Sequence, residues 1–307
     1  LGPVRRTHRC ASGRPRSPSP PPNRKEYPMA EISAALVKEL REETGVGMME
    51  CKKALVEANG DKAAAIKLLR ESGMAIAAKK ASRTAKQGII AAEIAADAQS
   101  GRMIEINCET DFVAKNDNFK AFVVEMLAAA AGVPDNALAE TAKAQVEAKI
   151  AEIGENIIAR RNLTYQVQGT GAVVGYVHLG GKLGVLLEVG FQKAASLANP
   201  AVKTLLSDLA LHVTAVNPVC ITRDQVPAET VQAEKEIYAK QVEGKPANIV
   251  DKIVAGKLEK FYGQICLVEQ PFVKEQDKTV ATILAETGKA VGDEFVIRRF
   301  ARWQLGA

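Results

Sequence analysis

Histidine and cysteine are scarce in this 307-residue chain, and each scarcity removes a class of function. The three histidines, His8, His178 and His212, leave little for metal ligation or for a Cys–His nucleophile pair. The five cysteines, Cys10, Cys51, Cys108, Cys220 and Cys266, are odd in number, widely spaced and without a C-x-x-C. That fits neither a disulfide framework nor a zinc site, and it points to a reducing compartment. No uninterrupted apolar stretch reaches the roughly 20 residues of a membrane helix, even at the Ala-rich Met126–Ala131. The P-loop, the dinucleotide fingerprint and the G-x-S-x-G elbow are absent too; Gly169-Thr170-Gly171 and Gly180-Gly181 have the spacing of hairpin turns.

What is present begins with charge, a net +5 with a pI near 8.8, which would ordinarily suggest nucleic acid. Residues 1–28 alone carry +6, through Arg5, Arg6, Arg9, Arg14, Arg16, Arg24 and Lys25 against Glu26, so the rest stands at −1. This segment, with Ser17-Pro18-Ser19-Pro20-Pro21-Pro22, is too poor in apolar side chains to offset the entropy of ordering. A disordered basic leader is expected there, upstream sequence read through in translation. The alternatives are an organelle transit peptide, which the prolines oppose, and a basic arm for nucleic acid.

Residues 31–73 divide into three short amphipathic helices. Ser33 can cap the first, with Leu36, Val37 and Leu40 inward; Gly47 opens the second; Asp61 caps the third, which Gly73 is expected to end. A linker over Ala77–Lys86 follows. The period then becomes strand-like, with 88–94 and 102–108 forming a hairpin, helices at 118–131 and 139–153, and a strand over 156–168. A second hairpin, 173–178 with 184–189, precedes a helix at 200–216, so two similar α/β units stand in tandem. Residues 228–262, broken at Gly244-Lys245-Pro246, predict a helical hairpin, and a helix over 280–286 and a last strand over 294–300 complete the chain. The class is α+β: a three-helix module, a two-part α/β core with antiparallel sheets, and a protruding helical hairpin. The expected boundaries are 29–82, 83–168 and 169–307.

The run Thr110-Asp111-Phe112-Val113-Ala114-Lys115 follows the apolar stretch Ile104-Glu105-Ile106-Asn107-Cys108 and sets a large apolar side chain beside a carboxylate. That pairing suits a probe pushed into a partner better than a reaction centre. Read alone, Phe112 also fits a core aromatic at the base of a helix, and Asp111 fits that helix's cap. Met48 and Met49 suit either a small core, with one side chain inward, or an adaptable contact surface. His212 reads as a packed histidine. Two other functions remain open: a cysteine hydrolase built on Cys108 with His178 or His212, and an adaptor binding protein tails or nucleic acid through residues 31–73 and the leader.

Longer patterns narrow this. Residues Ala30 to Leu55, including Thr44-Gly45-Val46-Gly47-Met48-Met49-Glu50-Cys51-Lys52-Lys53-Ala54-Leu55, are followed by Asn107-Cys108-Glu109-Thr110-Asp111-Phe112-Val113-Ala114-Lys115. Gly154-Glu155-Asn156-Ile157, Gly244-Lys245-Pro246 and Gln270-Pro271-Phe272-Val273 come after them in order. From Met29 to its end the chain resembles the bacterial translation elongation factor Ts family. The resemblance implies a guanine-nucleotide exchange factor for the GDP-bound GTPase elongation factor Tu, with a ubiquitin-associated-like amino-terminal module and no bond-making chemistry, cofactor or metal.

It implies that Asp111 and Phe112, with Thr110 and Val113, press on the GTPase elements that hold magnesium and phosphate. Lys38, Arg41, Met48 and Met49 would dock the amino-terminal module, and the carboxy-terminal half would engage a second domain. No membrane and no direct nucleic-acid contact are implied. The expected location is the cytoplasm, or an organelle if residues 1–28 are a transit peptide, and a 2:2 assembly with the GTPase is one stoichiometry the resemblance allows. Val216-Asn217-Pro218 stands where the family often has Ser-Lys-Pro, which puts a contact by that lysine in doubt.

Overall fold

A computed structural model describes Gly2 and residues 32–242 and 246–307. Apart from Gly2, the expected leader lies outside the described residues, as do Met29-Ala30-Glu31 and Gly244-Lys245. The fold is α+β. Ser33 accepts the Leu36 N–H and caps α1 (Ala34–Thr44), which stops at Gly45 in the left-handed region at φ +68°. α2 (Met48–Glu57) and α3 (Lys62–Lys80) follow, the latter capped by Asp61, whose carboxylate accepts the Ala63 and Ala64 N–H groups. Val37, Leu40, Cys51, Leu55, Ala65 and Leu69 make their shared core.

Gly73 was expected to end the third helix, and it does not: α3 continues another seven residues to Lys80. The glycine's role is spacing. A Cβ added there would stand 3.4 Å from the Ala151 methyl of α7 (Lys143–Ile153), so the position faces that helix with room for a methyl and little more. The expected linker over 77–86 is thus helical in its first four residues, and α3 mounts the amino-terminal helices on the core.

The first core unit holds β1 (Gln87–Ile94), β2 (Ser100–Cys108), the short α4 (Asp111–Lys115), α5 (Asp117–Ala129), α6 (Leu138–Thr141), α7 (Lys143–Ile153) and β3 (Ile158–Gln166), with sheet order β1-β2-β3, all antiparallel. The second holds β4 (Gly171–His178), β5 (Leu183–Phe191), α8 (Pro200–Val216), α9 (Ala228–Gln241), α10 (Ala247–Ile265), β6 (Pro271–Phe272), β7 (Glu275–Thr279), α11 (Val280–Val291) and β8 (Phe295–Gln304), with order β4-β5-β8. α9 and α10 fold back on each other, with Lys257 bonded to Gln241 and lying 5.3 Å over the Tyr238 ring.

The tandem plan extends to single residues. Glu105 on β2 is fully buried and takes Arg160 and Arg161 from β3; Glu188 on β5 is fully buried and takes Arg298 and Arg299 from β8. Each glutamate sits at a break in its strand's register. The arginines then cross between sheets: Arg161 lies 4.5 Å over Trp303 and donates to the Gln304 carbonyl, while Arg299 lies 4.1 Å over Tyr165 and donates to the Gln166 carbonyl. The two sheets are therefore joined by a reciprocal set of charge-assisted and cation–π contacts.

Candidate partner-binding site

Ile104, Ile106 and Cys108 of β2 are fully buried, which fixes the direction in which the chain leaves the strand. Thr110 is extended and caps α4, its hydroxyl accepting the Val113 N–H at 3.3 Å. Asp111, a candidate cap from its sequence, is instead the first helical residue. Val113 and Ala114 turn into the apolar cluster beneath β2 and α5, and Asn116 starts the next helix by accepting the Asn118 N–H. With that side of so short a helix committed inward, Phe112 is left with 81% of its surface exposed. It is not a core aromatic.

The turn that carries the ring is pinned from below. Gly154, at φ +83°, ends α7 and delivers Glu155, whose Oε2 accepts the Glu109 and Thr110 N–H groups at 3.1 and 3.0 Å and whose Oε1 accepts the Thr110 hydroxyl at 2.7 Å. In return, Glu109 Oε1 accepts the Asn156 N–H at 2.6 Å. Glu155 is the residue that reading the sequence for site residues passed over; its signal was there, in the Gly154-Glu155-Asn156-Ile157 landmark. Burying a phenylalanine side chain is worth about 1.5–3 kcal/mol, so this mount holds out an apolar group with much to gain from a partner.

Asp111 bonds Lys115 at 2.7 Å, and that ammonium holds its carboxyl below the usual carboxylate range. Asp111, Ala114 and Lys115 of this turn line an open groove of about 1020 Å³ together with Val124 of α5 and Leu179 of the β4–β5 turn. Leu179 and Val124 are themselves two-thirds exposed, so the groove offers apolar side chains as well as charged ones.

The amino-terminal candidates sit on α1 and α2. Met48 and Met49 are 51% and 62% exposed, so neither is the inward core residue that one reading expected. Lys38 is exposed and 3.7 Å from Glu42, and Arg41 lies on the exposed last turn of α1. The structure gathers Thr110, Asp111, Phe112 and Val113 in one place and leaves Lys38, Arg41, Met48 and Met49 as a second surface, joined to the first through α3.

Among the described residues, Cys108 is not set up as a hydrolytic nucleophile. Cys108 is buried, its thiol donates to the Thr110 carbonyl at 3.2 Å, and burial pushes it up to about 12. His212 is fully buried and far from that role: its Nδ1 accepts the Val273 N–H, so Nε2 carries the proton and donates to Gln270 Oε1 at 3.0 Å, and the ring stacks on Phe272. Burial lowers its pKa, consistent with a neutral packed imidazole. His178 bonds Tyr176. Among the described residues there is no cluster of His, Cys, Asp and Glu that could hold a metal ion, and no helix long and apolar enough to cross a membrane.

A sequence model of the family described as Elongation factor TS matches residues 109–307. The chain is similar to proteins named Elongation factor Ts from Nitratiruptor sp. (45% identical, covering 90% of this chain and 93% of that protein) and Bdellovibrio bacteriovorus (44%, with the same coverage). A further one, from Clostridioides difficile, is 44% identical over 91% and 94% of the two chains. The chain belongs to the elongation factor Ts family. The stretch matched to the elongation factor Ts model opens at Glu109, so it takes in the whole Thr110–Lys115 turn and the Glu155 that pins it. Asn217 ends α8 at φ +56°, a left-handed conformation that asparagine tolerates.

Proposed function

We propose that Phe112 is the wedge with which this chain, a translation elongation factor acting as the nucleotide exchange factor of elongation factor Tu, drives out GDP. The observation that carries the reading is the 81% exposure of that ring on a turn whose backbone is pinned by Glu155. Magnesium bridges and neutralises the nucleotide phosphates, so displacing the protein groups around it weakens ion and nucleotide together. Close-packed interiors pass strain along rather than absorb it, and an incompressible ring pushed among them needs no reaction of its own. Asp111 acts beside it as a partner contact, with Thr110 and Val113 setting the height and angle of the ring.

Lys38, Arg41, Met48 and Met49 dock the amino-terminal module on the same GTPase, while the carboxy-terminal half engages its second domain, in a complex that can assemble 2:2. The labour divides between residues 29–82, 83–168 and 169–307, with the helical hairpin at 228–262, and the setting is the cytoplasm. Coupling is reciprocal: the factor by which the protein lowers GDP affinity is the factor by which GDP lowers the protein's own affinity for the GTPase. The decisive measurement is release of a fluorescent GDP from elongation factor Tu with and without this protein. Acceleration is expected, and an unchanged release rate sinks the reading.

A further inference from the structure

The loop after α8 meets the end of α10 in a single parallel bridge, with Cys220 and Cys266 opposite each other. Backbone bonds fix the two: Val219 N–H to the Ile265 carbonyl at 2.9 Å, and Leu267 N–H to the Cys220 carbonyl at 2.9 Å. Beside them Arg223 ties Glu269 and Glu259 together at 2.7 and 2.9 Å and lies 4.5 Å over the Tyr262 ring, so the root of the helical hairpin is already ordered. The sulfurs are 3.6 Å apart, with the Cys220 thiol donating to the Cys266 sulfur. A disulfide requires about 2.05 Å, a closure that side-chain rotation can supply across a backbone already paired. Cys51 and Cys108, by contrast, are each buried against a backbone carbonyl.

We propose that Cys220 and Cys266 are a reversible modification site, closing to an intramolecular disulfide across the root of the α9–α10 hairpin when the protein meets a peroxide. Cys220 is partly exposed and Cys266 fully buried, which orders the steps. The Cys220 sulfur attacks the peroxide, the O–O bond breaks, and Cys220 becomes a sulfenic acid as one water or alcohol leaves. The Cys266 sulfur then attacks the Cys220 sulfur; the S–O bond breaks and water departs with the Cys266 proton. Two thiols have lost two electrons and two protons, and the peroxide has taken them up. Burial, the Cys220 thiol and Glu269 raise the Cys266 thiol, which leaves the partly exposed Cys220 as the group that meets the peroxide first. In a reducing compartment thiol exchange reopens the bond, which makes it transient.

The test uses the full chain. After hydrogen peroxide treatment, unfolding and alkylation, the protein should carry two fewer alkyl groups than the untreated sample, and digestion without reductant should yield one peptide joining Cys220 to Cys266. Dithiothreitol should restore both alkylations, and Cys220→Ser should abolish the loss. Recovery of Cys220 as a sulfinic acid with Cys266 fully alkylated would overturn the proposal, as would a bridge to any other cysteine. The readout is independent of nucleotide exchange, so neither result bears on the wedge assigned to Phe112.

Discussion

Phe112 gains nothing from the fold it belongs to, and this separates its role from its stability. A side chain exposed at 81% is nearly as hydrated in the folded chain as in the unfolded one, so Phe112→Ala should change unfolding free energy by less than about 0.5 kcal/mol. The same substitution should remove roughly 2–4 kcal/mol from the complex with elongation factor Tu, in the range of a central aromatic anchor. A urea titration and a GDP-release assay on one preparation read both; a large stability loss with normal exchange would refute the assignment. Glu155 is predicted to affect stability and exchange together. Its carboxylate satisfies two backbone N–H groups and a hydroxyl, so Glu155→Ala should cost about 2 kcal/mol of stability and slow exchange as well, with Glu155→Gln between. Exchange at the parental rate in Glu155→Ala would show that the pin is not needed. The probe was legible from Phe112 beside Asp111 in the Thr110–Lys115 run. The Gly154-Glu155-Asn156-Ile157 landmark marked its pin but not what the pin holds, because Glu155 lies 45 residues from Thr110 and only the fold brings the two together.

Elements were legible where side-chain pattern and turn chemistry agreed. β1 with β2, and α8 with Asn199 before it and Asn217 after it, fall close to their expected limits, because alternation or a 3.6 period ran up to residues that cap or turn the chain. Gly73 misled for a physical reason: a glycine that ends a helix and a glycine that lets two helices touch are the same letter, and only the Ala151 methyl across the gap distinguishes them. The β6–β7 ribbon, two and five residues long, carries too little alternation to register, and β8 runs on to Gln304 through Arg302-Trp303-Gln304, which do not look like a buried strand. The Gly73 account makes a paired prediction. Gly73→Ala should be tolerated, since 3.4 Å is an ordinary methyl contact and alanine adds up to about 1 kcal/mol of helix propensity. Gly73→Leu should wedge α3 from α7 and destabilise the protein by about 1–3 kcal/mol. Thermal melts of the two variants check this, and equal melting temperatures would mean that the helices are not in close contact.

At the scale of the whole molecule, the arginines that reach between the two three-stranded sheets are anchored on buried carboxylates, and this makes stability a function of acidity. The Glu188 carboxyl is pushed up by burial, but the Gln168 N–H at 2.7 Å and the guanidiniums of Arg299 and Arg298 outweigh that and hold it below its ordinary 4.5. In the unfolded chain it returns to that ordinary value. The unfolded chain therefore takes up the proton first as pH falls, so the stabilisation from this site is complete above about pH 4.5 and is lost below it, towards the folded value. Glu188→Gln abolishes the titration and strands two arginines, which should cost about 3 kcal/mol at pH 7. Parent and variant unfolding midpoints should thus stand far apart at pH 7 and converge as the pH falls below 4.5. Because Arg299 also lies over Tyr165 of the other sheet, the lost stability should appear as a single cooperative transition of both sheets. A variant in which only the second sheet melts early would show that the reciprocal arginine contacts do not couple the two halves.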